Sequence, residues 1–231
     1  MAGQRNLKKT ILTLLATPDI DRILAELATH PPEALLNALF SGICHADQHT
    51  RWHAITAMGS TVARLAEQDM EAARVVMRRF MWSLNDESGG IGWGAPEAMA
   101  ECLASHAGLA GEYTNILVSF MREDGFYLEL PPLQRGLMWG IGRLAQVRPQ
   151  LLRAWQAPLY LLPYLDSEDP VDRALAARAL GQLRVVEAAA KINQWSGDTT
   201  EFTLYAGLRL TTVTVGQLAR EALAALASVP A

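Results

Sequence analysis

Apolar residues recur along this chain at three- and four-residue steps, in blocks of 10 to 20 residues separated by Pro, Gly and acidic clusters, which is the pattern of amphipathic helices. The blocks also repeat. Residues 51–59 (RWHAITAMG), 92–100 (GWGAPEAMA), 134–142 (QRGLMWGIG), 173–181 (RALAARALG) and, more loosely, 216–224 (GQLAREALA) follow one another at offsets of 41, 42, 39 and 43 residues. Their columns share a logic: Ala54, Ala95, Leu137 and Ala176; Ala57, Ala98, Gly140 and Ala179; Met58, Met99, Ile141 and Leu180; then Gly59, Ala100, Gly142 and Gly181. Large apolar groups fall on one side of each helix and small residues where a neighbouring helix must come close. A period of forty-odd residues signals an array of stacked units.

Each unit reads as two helices, A then B. Residues 7–16 and 20–29 form an N-terminal pair broken by Pro18 and by Pro31 and Pro32. Helices are predicted over 33–45, from Asp47 as N-cap to about 68, over 70–84, 95–106, 112–123, 132–146, 157–165 and 186–195. Pro96 stands in the first turn of the fourth. Near the C-terminus, β-branched residues alternate around Ala206 and Gly207, which predicts a small β-hairpin serving as an end cap. Thr214 and Gln217 then form a capping box for the last helix.

The columns, and most closely residues 166–181 (DSEDPVDRALAARALG), resemble the HEAT-repeat superfamily, including the HEAT-like repeats of phycobilisome lyases. The resemblance covers about residues 33–228. It implies an all-α, right-handed α-α superhelix, a HEAT/armadillo-like solenoid of about five helix pairs in one domain spanning 1–231. Residues 1–32 are the cap, and 33–68, 69–110, 111–156, 157–184 and 185–231 the repeats. It also implies that the B helices line a concave groove.

On that reading the positions between the core columns face the groove: Trp52, Trp93, Arg135 and Ala174; then Thr56, Glu97, Trp139 and Arg178; then Ser60, Glu101, Arg143 and Gln182. Tryptophan and arginine are the residues on which binding interfaces concentrate their energy. The repeats are interrupted most conspicuously by residues 85–97 (NDESGGIGWGAPE), four glycines with acids and a tryptophan. Backbone amides ahead of a helix suit an anion, but Asp86, Glu87 and Glu97 oppose one, and no lysine follows as in a phosphate-binding loop. Asp86, Glu87, Gly90, Trp93 and Glu97 therefore read as an aromatic wall beside carboxylates, suited to a cationic ligand, a modified base or a partner's arginine, or as a rigid hinge between repeats. Trp93 and Glu97 also resemble the aromatic–acid pair of HEAT-like DNA glycosylases that excise alkylated bases, with Glu in place of Asp.

Charge and chemistry narrow this further. Net charge is −4 and the pI about 5.7, and positive charge is carried by 17 Arg and 3 Lys, which argues against a general nucleic-acid binder. Cys44 and Cys102 form neither a disulfide framework nor a zinc motif. His49 and His53 share a helix face and are the one weak metal candidate; no cofactor motif is present. No apolar run reaches the ~20 residues of a membrane span, and no secretory leader is read, so a cytoplasmic location is expected. Acids sit in every A–B connection, among them Asp47, Glu123, Asp124, Asp166, Asp169 and Asp198. The function expected is a non-enzymatic scaffold whose groove, through Trp52, Trp93, Glu97, Arg135, Trp139, Arg143 and Arg178, takes another protein or a peptide. A DNA glycosylase or a cofactor lyase of the phycobilisome-lyase type is the enzyme alternative.

Overall fold

The structure is a computed structural model and describes residues 2–85 and 92–228. The described chain consists of helices joined by short connections, with one two-stranded antiparallel sheet. It divides into two compact units, Met1–Ala110 and Gly111–Ala231, with the cut falling inside a helix.

The first unit holds α1 (Ala2–Leu15), α2 (Ile20–Ala28), α3 (Pro32–Ile43), α4 (Gln48–Gln68), α5 (Met70–Leu84), α6 (Ala95–Ser105) and the first turn of α7 (Ala107–Ser119). Its starts are written in local chemistry. The side chains of Asp19, Asp47 and Asp69 accept the backbone N–H groups of Arg22, Thr50 and Ala72, satisfying donors that a helix N-terminus otherwise leaves free. Helix α4 is the axis of this unit and packs against α1, α2, α3, α5 and α6. That surround explains why Ala54, Ile55, Ala57, Met58, Val62 and Leu65 are all fully buried. The small-residue column works as expected: a Cβ on Gly59 would lie 2.7 Å from the Glu101 side chain, so α4 and α6 cross where glycine lets them.

The second unit holds the rest of α7, α8 (Pro131–Val147), α9 (Pro149–Ala154), α10 (Ala157–Leu161) running into a 3-10 turn (Leu162–Asp166), α11 (Pro170–Gln182), a second 3-10 turn (Val186–Ala188), α12 (Ala189–Asn193), β1 (Glu201–Ala206), β2 (Arg209–Thr214) and α13 (Val215–Ala227). Helices α8, α11 and α13 pack in series, each a B helix of the repeat reading. A Cβ on Gly181 would sit 2.7 Å from the Ala222 Cα of α13, the same device three repeats on, whereas one on Gly142 would meet nothing closer than 3.8 Å. The expected helix over 186–195 is broken into a 3-10 turn and five helical residues, and α7 runs 107–119 instead of 112–123.

The hairpin is present, with Glu201 opposite Thr214 and Ala206 opposite Arg209. Its two-residue turn places Gly207 and Leu208 at φ 56° and 63°, the doubly left-handed geometry that matches strand twist. Thr214 caps α13 by accepting from the Gln217 N–H, while the Gln217 side chain donates to Glu221 instead of reaching back, so only half of the capping box forms. Thr214→Ala is expected to lower unfolding free energy by about 1 kcal/mol in urea denaturation, and Thr214→Ser to keep most of it.

Candidate functional site

In the first unit the chain enters α6 through a tight return. Gly94 has φ 73°, and a Cβ there would stand 2.3 Å from the Ile43 carbonyl at the end of α3. The Cys44 thiol donates to the Trp93 carbonyl at 3.4 Å. This packing leaves the Trp93 ring 40% exposed and puts Glu97 in the first turn of α6, half-buried. Burial pushes the Glu97 carboxyl up to about 7, against the pull of a backbone hydrogen bond and of the Arg51 guanidinium on α4. Arg51 Nε is buried without a hydrogen-bond partner among the described residues. Glu97 on α6 and Arg51 on α4 thus influence one another, with the exposed Trp93 four residues before Glu97. Asp86, Glu87 and Gly90 lie outside the described residues.

Two expectations for this unit are corrected. Trp52 is only 9% exposed and belongs to the core, because α4 is surrounded by neighbouring helices. The histidine pair is not presented to a metal. His53 is buried and its Nδ1 donates to the Leu15 carbonyl at 2.8 Å, tying α4 to α1, and among the described residues no group of three His, Cys, Asp or Glu gathers.

In the second unit the row drawn from the sequence also sits deeper than expected. Trp139 is 6% exposed; its indole N–H donates to the Tyr205 carbonyl at 2.7 Å, and the two rings lie 6.4 Å apart. The hairpin, expected as an end cap, therefore folds across α8. Trp139 is part of the packing and not an open groove wall. Trp139→Phe is expected to cost about 1–2 kcal/mol of stability, measured by urea denaturation, through loss of this buried hydrogen bond. Arg135 reaches α11 and pairs with Asp169, the N-cap of that helix. Arg143 and Arg178 stand near one another and half-buried; burial holds the Arg178 guanidinium below its ordinary range, opposed by Glu221 and reinforced by Arg143.

The same unit contains a cavity of about 630 Å³ between the end of α7, the connection that follows, the start of α8 and the α10 segment. Tyr127, Tyr160 and Tyr164 form its walls, and Glu123, Asp124 and Asp166 supply carboxylates. Arg122 grips Asp124 with two hydrogen bonds, 2.9 and 2.7 Å, and lies 4.9 Å from the centre of the Tyr160 ring. Gln134 donates to the Tyr127 hydroxyl at 2.8 Å. Tyr164 is 7% exposed, and its buried hydroxyl lies beside that of Tyr127. Burial, then the neighbouring Tyr127 and the Asp172 and Glu123 carboxylates, drive its ionisation far above the usual range, so it is a neutral donor. Behind Ser167, the fully buried Asp172 has one carboxyl oxygen 3.5 Å from the Ser167 hydroxyl and the other unpartnered among the described residues.

The sequence marks residues 124–132 (DGFYLELPP) as a long A–B connection with acids and aromatics, but its repeat columns do not include Tyr160, Tyr164 or Asp172 in a site. The four-residue spacing of Tyr160 and Tyr164 in a helical stretch is the signal that could have found the two rings.

No family model matches the chain, and no curated protein matches it. Solved structures do. An engineered protein from a structural genomics consortium is 17% identical, with a TM-score of 0.54, covering 96% of this chain and 99% of that one. A second engineered protein from the same consortium is 16% identical with a TM-score of 0.53, covering 96% of each chain. A designed armadillo repeat protein, solved in complex with the peptide (KR)4, is 16% identical with a TM-score of 0.53, covering 94% of this chain and 98% of that one. At such identities the likeness concerns the backbone alone. Together with the repeated helix pairs and their small-residue crossings, it establishes that this chain has the armadillo/HEAT-like helical-repeat fold.

Proposed function

We propose that this chain is a binding module that holds an exposed segment of another protein. The observation that carries the reading is the pocket of the second unit, walled by Tyr127, Tyr160 and Tyr164. A concave site of this size, lined by aromatic rings with a few convergent polar groups, suits a ligand side chain. The pocket is built from an A–B connection and a helix end, where repeat folds vary their loops without disturbing the stacked core. Trp93, Glu97 and Arg51 offer a further contact in the first unit, and Arg143 with Arg178 one in the second. The solved designed armadillo protein with a bound peptide supports the reading at the level of fold.

The test is selection of a random-peptide display library on the whole chain, followed by titration of enriched peptides. Saturable one-to-one binding that weakens about tenfold or more with Tyr160→Ala is expected, since loss of an anchoring ring in a desolvated site costs that much. A library from which nothing is enriched over background, or enriched peptides indifferent to Tyr160→Ala, would overturn this use of the pocket.

A further inference from the structure

The pocket's chemistry also specifies what it takes, if the preceding reading of it as a binding site holds. Three carboxylates, Glu123, Asp124 and Asp166, face one lining cation, Arg122, and that arginine is already committed to Asp124. Lys191 reaches Asp166 from outside the lining. Glu123 thus has no basic partner among the residues that line the cavity. The walls are tyrosine faces, whose π-electron clouds attract cations. The protein has itself built one instance of the arrangement, a guanidinium held between the Asp124 carboxylate and the Tyr160 ring. The Tyr164 hydroxyl is buried beside Tyr127, with the Asp172 carboxyl near it.

An anionic ligand meets repulsion from the lining carboxylates here, and a purely apolar one covers Glu123 without compensation. A cationic side chain avoids both: its stem lies along the rings and its charge faces Glu123, the acid without a basic partner in the lining. We infer that the second-unit pocket is a receptor for the side chain of an arginine or lysine presented by a partner's exposed segment. The volume of about 630 Å³ holds such a side chain together with the backbone that carries it.

The probe is a fluorescein-labelled (Gly-Arg)4 peptide, with (Gly-Lys)4, (Gly-Gln)4 and (Gly-Glu)4 as comparators, titrated by anisotropy against the whole chain at fixed ionic strength. The two basic peptides are expected to bind and the other two not. Glu123→Gln and Tyr160→Ala are each expected to weaken (Gly-Arg)4 by about 5- to 20-fold. Glu33→Gln, an exposed acid on α3 of the first unit, is expected to leave it unchanged. Glu123→Gln alters an exposed acid of the pocket, so it keeps the test intact should Tyr160→Ala disturb folding.

Equal weakening by Glu33→Gln and Glu123→Gln would mean diffuse charge attraction and would overturn the inference. So would a pocket that binds display-selected peptides lacking Arg and Lys in a manner sensitive to Tyr160→Ala, although the general reading of the pocket would then survive. Absence of any Tyr160-dependent peptide removes both.

Discussion

Gly94→Val is expected to lower the unfolding free energy by about 3–5 kcal/mol, because two costs combine. A β-branched residue at φ 73° is held in the left-handed region at about 1–3 kcal/mol. Its Cβ would also stand 2.3 Å from the Ile43 carbonyl oxygen, a backbone atom that cannot rotate away, so α3 and α6 must shift apart at a cost of the order of 1–3 kcal/mol. Gly94→Ala incurs the same two costs in smaller measure. Gly111→Ala is the control: its Cβ meets nothing within 4 Å, and it lies on the exposed face of α7. Urea denaturation followed by far-UV circular dichroism gives the comparison. Losses for Gly94→Val no greater than for Gly111→Ala would show that the entry to α6 is not pinned against α3. Since small proteins are stable by only about 5–15 kcal/mol, the expected loss is a large share of the whole.

The second large effect is a dependence on pH centred on Asp172. Burial first, then repulsion from Asp169, pushes its carboxyl up to about 7, while Arg135 and Ser167 pull the other way. The folded-state value therefore lies above the ordinary carboxylate value of the unfolded chain. Below about pH 4 both states are protonated and the group is neutral in its effect. As pH rises towards 7 the unfolded chain gains by ionising and the folded one does not, so stability falls across that window and levels off above it. Asp172→Asn abolishes the titration. The variant's stability relative to the wild type is expected to rise from pH 4 to pH 8 by about 2–4 kcal/mol, since each tenfold difference in proton affinity between folded and unfolded states is worth about 1.4 kcal/mol. Groups common to both proteins, Glu97 included, cancel in that difference. A difference that is flat with pH, or of opposite slope, would show that Asp172 is ionised in the folded state.

How much of this is open to reading from the chain can be judged residue by residue. Gly59 and Gly181 declare the helix crossings because close approach of two backbones excludes every larger side chain, a constraint visible in a single column. Asp47 and Thr214 mark helix starts because capping is satisfied within three residues. The hairpin is legible from its turn and its alternation. Trp139 goes astray for the opposite reason: what covers it is Tyr205, 66 residues away, and a helical face gives no sign of which neighbour will settle on it. His53 likewise takes its partner from Leu15, 38 residues earlier. The pocket joins residues 121–134 to residues 160–167, two segments whose meeting depends on how α8, α10 and the intervening turns pack.

The sequence alone determined the period, the helix pairs, their capped starts and the residues small enough for the stacking, because each of these is enforced by interactions within a turn or by a steric limit at one position. The tertiary structure decided which side chains stay open: it sank Trp52 and Trp139, turned His53 inward, and gathered Tyr127, Tyr160 and Tyr164 around one cavity. Exposure is a property of distant segments meeting, and no local pattern of polar and apolar residues encodes it.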